Sequence, residues 1–238
     1  MTTPATNTPQ RVIKYAMINA GLLADGTDPS SDNYANYMIR LNDLINFWQT
    51  QGLKLWLQTD LSITLVAGTA LYSLYPSGTV AMTKPLRVVQ GYFQDSAGTR
   101  RPLIPISREE YSRLSTVTQQ GPITQYFVDK QYDRLNVSFW LVPDSTAATG
   151  TGHLIIQSQA TNLVSLTDTI QFPQEWFIAL CWGLADEICT GQPQAIMDRC
   201  QQRAMTYRDA LENWDVEDAP TRFEPNLIST GYSAQGFK

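Results

Sequence analysis

The hydrophobic period of this chain changes twice, and that switch restricts its fold more than any motif does. Apolar residues recur at three- and four-residue steps near the start, at two-residue steps through the middle, and at three- and four-residue steps again after Phe172. Residues 9–23 predict a first helix, with Ile13, Ala16, Met17 and Ala20 on one stripe. The turn formers of "LADGTDPSS" follow, and Ser30 or Ser31 is placed to accept a backbone N–H at the start of a second helix. That helix carries Tyr34, Tyr37, Met38, Leu41, Leu44, Ile45 and Trp48 on its apolar face. Gly52 suits its end, because glycine enters the left-handed conformation without a Cβ penalty.

From Leu55 the period becomes two. Leu55, Leu57, Thr59, Leu61, Ile63 and Leu65 alternate with the mostly polar Trp56, Gln58, Asp60, Ser62 and Thr64, as in a strand with one buried face. Further strands are expected near 70–75, 86–94, 124–129, 134–142 and 153–159. Leu135, Val137, Phe139 and Leu141 share a face in the clearest of them. "DSAG" reads as a hairpin turn, and Ser107 with Glu110 has capping-box spacing at a short helix. After Phe172, Pro173 suits a first helical turn, and Trp176, Leu180, Gly183, Leu184 and Ile188 make a face that Phe177 and Cys181 widen. A last helix carries Met197, Cys200, Ala204, Tyr207, Leu211 and Trp214 at heptad steps, a seam that needs other helices against it.

The predicted fold class is α+β: a discontinuous antiparallel helical bundle from the two ends of the chain, an inserted antiparallel β-sandwich or barrel, and an extended C-terminal arm. The boundaries fall at 1–53 and 172–214 for the helical parts, 54–171 for the β-rich insert and 215–238 for the arm. Pro220, Pro225, Gly231 and Gly236 prevent a long helix in the arm. Phe223, Leu227, Ile228, Tyr232 and Phe237 recur along it and are costly to leave in water, so the arm is expected to order on a partner.

Composition narrows the function classes. Only 16% of residues are charged, a low share that fits a surface partly covered by other subunits. A net charge of −5 argues against tight nucleic-acid binding, which needs clustered Lys and Arg. The same charge suits a lining past which DNA slides without being held. No basic-then-apolar leader opens the chain, and the apolar run Phe177 to Ala185 is far shorter than the ~20 residues of a membrane span, so no membrane is expected. The cysteines, Cys181, Cys189 and Cys200, are odd in number and confined to one region, which favours a reducing compartment over a disulfide framework.

Motifs for chemistry are missing. There is no CxxC pair, and the one histidine, His153, sits in a predicted strand, so neither a metal site nor any cofactor is expected. Glu109–Glu110 and Asp186–Glu187 are neighbours about 100° apart on a helix, which is no acid–base pair. "DGTDPSSD" lacks the order of a calcium loop and reads as a turn with a cap. Arg100 and Arg101, with Arg108 and Arg113, make a candidate basic patch: either a solvated loop or a subunit contact. Trp56, Trp140, Tyr72, Tyr75, Tyr92 and Tyr126 are core or interface residues, or else the face of a carbohydrate-binding module. No enzyme is expected.

Four segments in order carry a family resemblance: "INFWQTQGLKLWLQTD", "KPLRVVQGYFQDSAGTRRPLIPISREEYSRL", "GPITQYFVDKQYDRLNVSFWLVPD" and "FPQEWFIALCWGLADEI". Together, over residues 30 to 214, the chain resembles the head-to-tail adaptor proteins of tailed bacteriophages, especially short-tailed ones. The resemblance implies a structural virion protein of the neck, made in the host bacterial cytoplasm. Such adaptors form a homo-oligomeric ring, usually dodecameric, beneath the portal protein. The ring extends the channel for double-stranded DNA and is a platform for a tail nozzle or tail tube protein. The resemblance also implies that residues 215–238 reach into the portal, with Phe223, Leu227, Ile228, Tyr232 and Phe237 in its grooves. The alternatives are a tail-tube or nozzle component and the carbohydrate-binding module.

Overall fold

The computed structural model describes residues 7–51 and 55–214 of the 238. Gly52 and the whole of 215–238, including Phe223, Leu227, Ile228, Tyr232 and Phe237, lie outside the described residues. Helix α1 (Pro9–Asn19) starts where Thr8 accepts the Arg11 N–H at 3.5 Å, with proline in its first turn. It stops short of residue 23 because Gly21 turns left-handed, at φ 71°. The Gly21 N–H then bonds Ile18 O at 3.0 Å and the Leu22 N–H bonds Met17 O at 2.9 Å, a Schellman closure. Helix α2 (Ser31–Trp48) is capped by Ser30, which accepts the Asn33 N–H at 3.3 Å.

The ten strands are β1 (Gln58–Thr64), β2 (Leu71–Tyr75), β3 (Val80–Ala81), β4 (Arg87–Gln94), β5 (Arg100–Ile106), β6 (Gln120–Gly121), β7 (Gln125–Lys130), β8 (Leu135–Trp140), β9 (Val142–Pro143) and β10 (Thr151–Gln157). Between β5 and β6 lies α3 (Arg108–Ser112), closed by the Ser107–Glu110 capping box. Helices α4 (Phe177–Ile188) and α5 (Gln194–Trp214) follow. A 3-10 turn, Gln174–Trp176, leads into α4 behind Pro173. Gly191, at φ 89°, breaks the chain between α4 and α5.

Eight strands make one sheet in the order β1-β10-β4-β5-β7-β8-β2-β3, and β6 pairs with β9 apart from it. The sequence predicts an antiparallel sheet, and this is corrected: β5 runs parallel to β7, and β2 parallel to β3. Ile63, Leu154, Phe93, Leu103, Tyr126, Val137, Phe139 and Leu74, from seven strands across that order, meet in one buried cluster. One face of the sheet therefore curls round a single core and is nearly closed.

A second cluster gathers the inner faces of α1, α2, α4 and α5 with Leu163, Ile170 and Phe172. At its centre Trp176 is fully buried, edge-on to Trp48 with centroids 6.0 Å apart and tilted on Trp56 at 5.1 Å. Trp56 corrects the sequence reading. Leu55–Leu57 form a 3-10 turn and β1 begins only at Gln58, so Trp56 packs against the helices instead of standing outside a strand. Gly183 is where α4 meets α2 most closely: a Cβ there would lie 2.6 Å from Trp48 Cζ2.

Neutral amides fasten the end of β10 and the chain that follows it to α2 and its C-terminal cap. Gln157 Nε2 donates to Gln49 O at 3.0 Å, and Gln49 Oε1 accepts the Ala160 N–H at 2.7 Å. Asn42 donates to Leu163 O at 2.9 Å and accepts the Leu163 N–H at 2.8 Å. Both glutamines are buried; Gln157 Nε2 and Gln49 Oε1 are paired, while Gln157 Oε1 has no partner among the described residues.

Candidate functional site

The residues with potential for chemistry are dispersed and internally satisfied. All three cysteines are free and buried. Burial pushes the Cys181 thiol up to about 12 and the Cys200 thiol to about 11, so neither supplies a thiolate near neutrality. Among the described residues no three His, Cys, Asp or Glu side chains converge to hold a metal. Among the same residues no helix is long and apolar enough to cross a membrane.

His153 stands on the outer face of the sheet in a ladder across four strands. Its ring stacks on Tyr92 with centroids 4.5 Å apart, and its Nδ1 lies 3.0 Å from Asp60 Oδ1. The Tyr92 hydroxyl donates to Asp60 Oδ2 at 2.7 Å, and the Arg100 guanidinium lies 4.8 Å over the Tyr92 ring. Partial burial opposes ionisation of Asp60, but the bonds from Tyr92 and His153 outweigh it and hold the carboxyl below its usual value. This is the cross-strand pairing that stabilises a sheet face.

The other candidates resolve similarly. Glu109 pairs with Arg113 at 2.5 Å, while Glu110 is held below its usual value by the Ser107 N–H and hydroxyl of the capping box. Burial, then the charge of Glu187, raises Asp186. Asp28 binds Lys14 at 2.6 Å, in keeping with a turn. Arg101 approaches Asp95 at 4.0 Å across the hairpin turn, Arg108 bridges to Asp129, and Arg100 lies on Tyr92. Each of the four arginines thus has its own local partner. The six aromatic residues of the β region do not share a face: Tyr72 and Tyr126 are in the sheet core, and Trp56 is in the helical one.

What the surface does offer is apolar side chains on the outside of the helices. Ile39 and Phe47 on α2, Ile178 on α4, and Met205 and Trp214 on α5 are more than half exposed, at 51–65%. Only Cys200 and Ala204 of the α5 seam are fully buried, so its C-terminal half, Tyr207, Leu211 and Trp214, is incompletely covered. Phe47 borders a groove of about 460 Å³ with Arg40, Asp43, Leu44 and Glu187. Val164 is 89% exposed on a loop held by Asn42 and by Asp168, whose carboxylate accepts the N–H groups of Val164 and Ser165. The sequence reading missed Ile39, Phe47, Ile178 and Met205. Their one signal is that each falls off the apolar stripe of an otherwise amphipathic helix.

These side chains leave apolar area facing solvent on α2, α4 and α5. A family model, that of the SU10 adaptor protein, matches residues 16–225. No curated protein matches the chain.

Proposed function

Because the chain belongs to the SU10 adaptor protein family, a family of phage head-to-tail adaptors, we propose that it is the ring-forming subunit that joins the portal to the tail. The observation that carries this reading is the apolar surface left on α2, α4 and α5 after their inner faces have filled a complete core. Ring symmetry repeats each such contact and turns weak pairwise binding into a stable assembly. In this reading the helices form a discontinuous bundle, and the sheet is an insert that presents a platform to a tail nozzle or tube protein. The net charge of −5 keeps a channel from trapping DNA as it passes.

Residues 215–238 then act as the arm that reaches the portal. Ordering the arm costs conformational entropy, offset by burying Phe223, Leu227, Ile228, Tyr232 and Phe237 in portal grooves. Arg100 and Arg101, exposed beside the Asp95 turn, are offered to an acidic patch of a neighbouring subunit. The structural nature of the family implies that no reaction is performed.

Size-exclusion chromatography with light scattering, on the protein alone and mixed with portal rings, tests the assembly directly. The portal complex is expected to elute as one species with many adaptor copies. Deleting residues 216–238 leaves the fold intact and abolishes portal docking; a truncated chain that still co-sediments with portal rings refutes the arm's role.

A further inference from the structure

The sheet contains a defect that the assembly reading does not use. Strand β5 pairs with β4 from Gly91↔Leu103 to Gln94↔Arg100, then leaves it, and from Ile104 onward pairs with β7 instead. Residues Arg87–Gln90 of β4 therefore keep a ladder only with β10. Beyond Phe127, β7 pairs only with β8, and the chain after Ile106 turns off into α3. A slot of about 500 Å³ opens between Val88–Val89 of β4 and the Pro105–Arg108 and Tyr126–Lys130 side. Val88 and Val128 border the sheet core there and are only partly buried. An unpaired strand edge beside incompletely covered apolar side chains is a site for an added strand.

Contacts through the end of α2 connect α5 to that edge. Arg208, in the last two turns of α5, lies 6.0 Å from the Trp48 ring. Two residues after Trp48, the carbonyl of Thr50 accepts from the Arg87 guanidinium at 3.2 Å, and Arg87 is the first residue of β4. The 24 residues beyond Trp214 span up to about 80 Å when extended, far more than this path requires. Their chemistry fits as well. "NLISTGY", residues 226–232, has no proline, and puts Ile228, Thr230 and Tyr232 on one side of a strand. Asp215, Glu217, Asp218 and Glu224 outnumber Arg222 and Lys238 in the segment, and the slot is lined by Lys130 and by Arg108 paired with Asp129.

We propose that in the isolated subunit residues 226–232 of the same chain add as a strand along Arg87–Gln90 of β4, covering Val88 and Val128, and that the portal later takes the segment out. The slot then shields the arm's apolar residues before assembly and keeps them from pairing with other copies. This goes beyond the portal-docking role and is measured without portal, so the two fail separately.

The test is hydrogen exchange on the full-length protein, wild type against Ile228→Pro, which removes an N–H and the strand conformation. The amides of Arg87–Gln90 are expected to exchange at least about tenfold faster in the variant, while those of β8 and α4 stay unchanged. Equal exchange at Arg87–Gln90 in the two proteins overturns the proposal, and so does a uniform rise that includes β8 and α4. A second measurement uses the full chain carrying Lys130→Cys and Thr230→Cys under mild oxidant. An intrachain disulfide in the monomer band supports the assignment. A disulfide between copies, or none, overturns it.

Discussion

The contact of Gly183 with Trp48 yields the sharpest energetic prediction. A Cβ on residue 183 would lie 2.6 Å from Cζ2 and 2.9 Å from Cη2 of the indole. The indole has little room to move. It is 4% exposed, edge-on to Trp176 at 6.0 Å, with Arg208 6.0 Å from its ring. Gly183→Ala therefore combines an overpacking cost of about 1–3 kcal/mol with a helix-propensity gain of about 1 kcal/mol, a net loss of about 0–2 kcal/mol. The net value is small, so the decisive quantity is the coupling. Trp48→Phe removes the two clashing atoms and leaves Leu44 Cδ2, at 3.3 Å, as the nearest neighbour. In that background the propensity gain stands alone and Gly183→Ala becomes neutral to stabilising. A double-mutant cycle read by urea denaturation with far-UV circular dichroism is expected to give a coupling of about 1–3 kcal/mol. A coupling under about 0.5 kcal/mol, the scatter of independent sites, would refute the close-approach argument.

Three further outcomes are expected. Asn42→Ala strips both bonds from the Leu163 backbone and lowers stability by about 1–3 kcal/mol, visible as a melting-temperature drop of about 2–4 °C per kcal/mol. Ellman's reagent is expected to find no fast-reacting thiol in the native protein at pH 8 and three in denaturant, since all three cysteines are buried; one equivalent reacting within the mixing time contradicts this. Asp60 has a lowered pKa in the fold, so its contribution is present above the unfolded value near ~3.9 and is lost as pH falls through the folded value. The urea midpoints of wild type and Asp60→Asn, compared from pH 6 down to pH 2.5, should converge at the acid end.

Helix faces were legible because burial follows the 3.6-residue period: Leu41, Ile45 and Trp48, or Trp176, Leu180 and Leu184, are where the spacing puts them. The Ser107–Glu110 box was legible because capping is local chemistry. Strand β5 was not. Pro102 and Pro105 argue against a strand inside a sheet, yet β5 tolerates them by changing partners between β4 and β7. Trp56 was misplaced because a 3-10 turn beside a strand mimics alternation over three residues. For the candidate site, the sequence offered no spaced ligand pair and no nucleophile signature. It did not single out Ile39, Phe47 or Ile178, because an apolar residue off the stripe is also an ordinary surface residue. Spacing alone did not show that Arg100, Arg101, Arg108 and Arg113 each take a different local partner.

The carboxamide fastening of Gln49, Gln157 and Asn42 sets how the joint answers its solvent. It contains no ionised group, so added electrolyte does not screen it and acid does not titrate it. The joint between sheet and helices therefore keeps its hydrogen bonds through changes of salt and acidity that would loosen an ionic one.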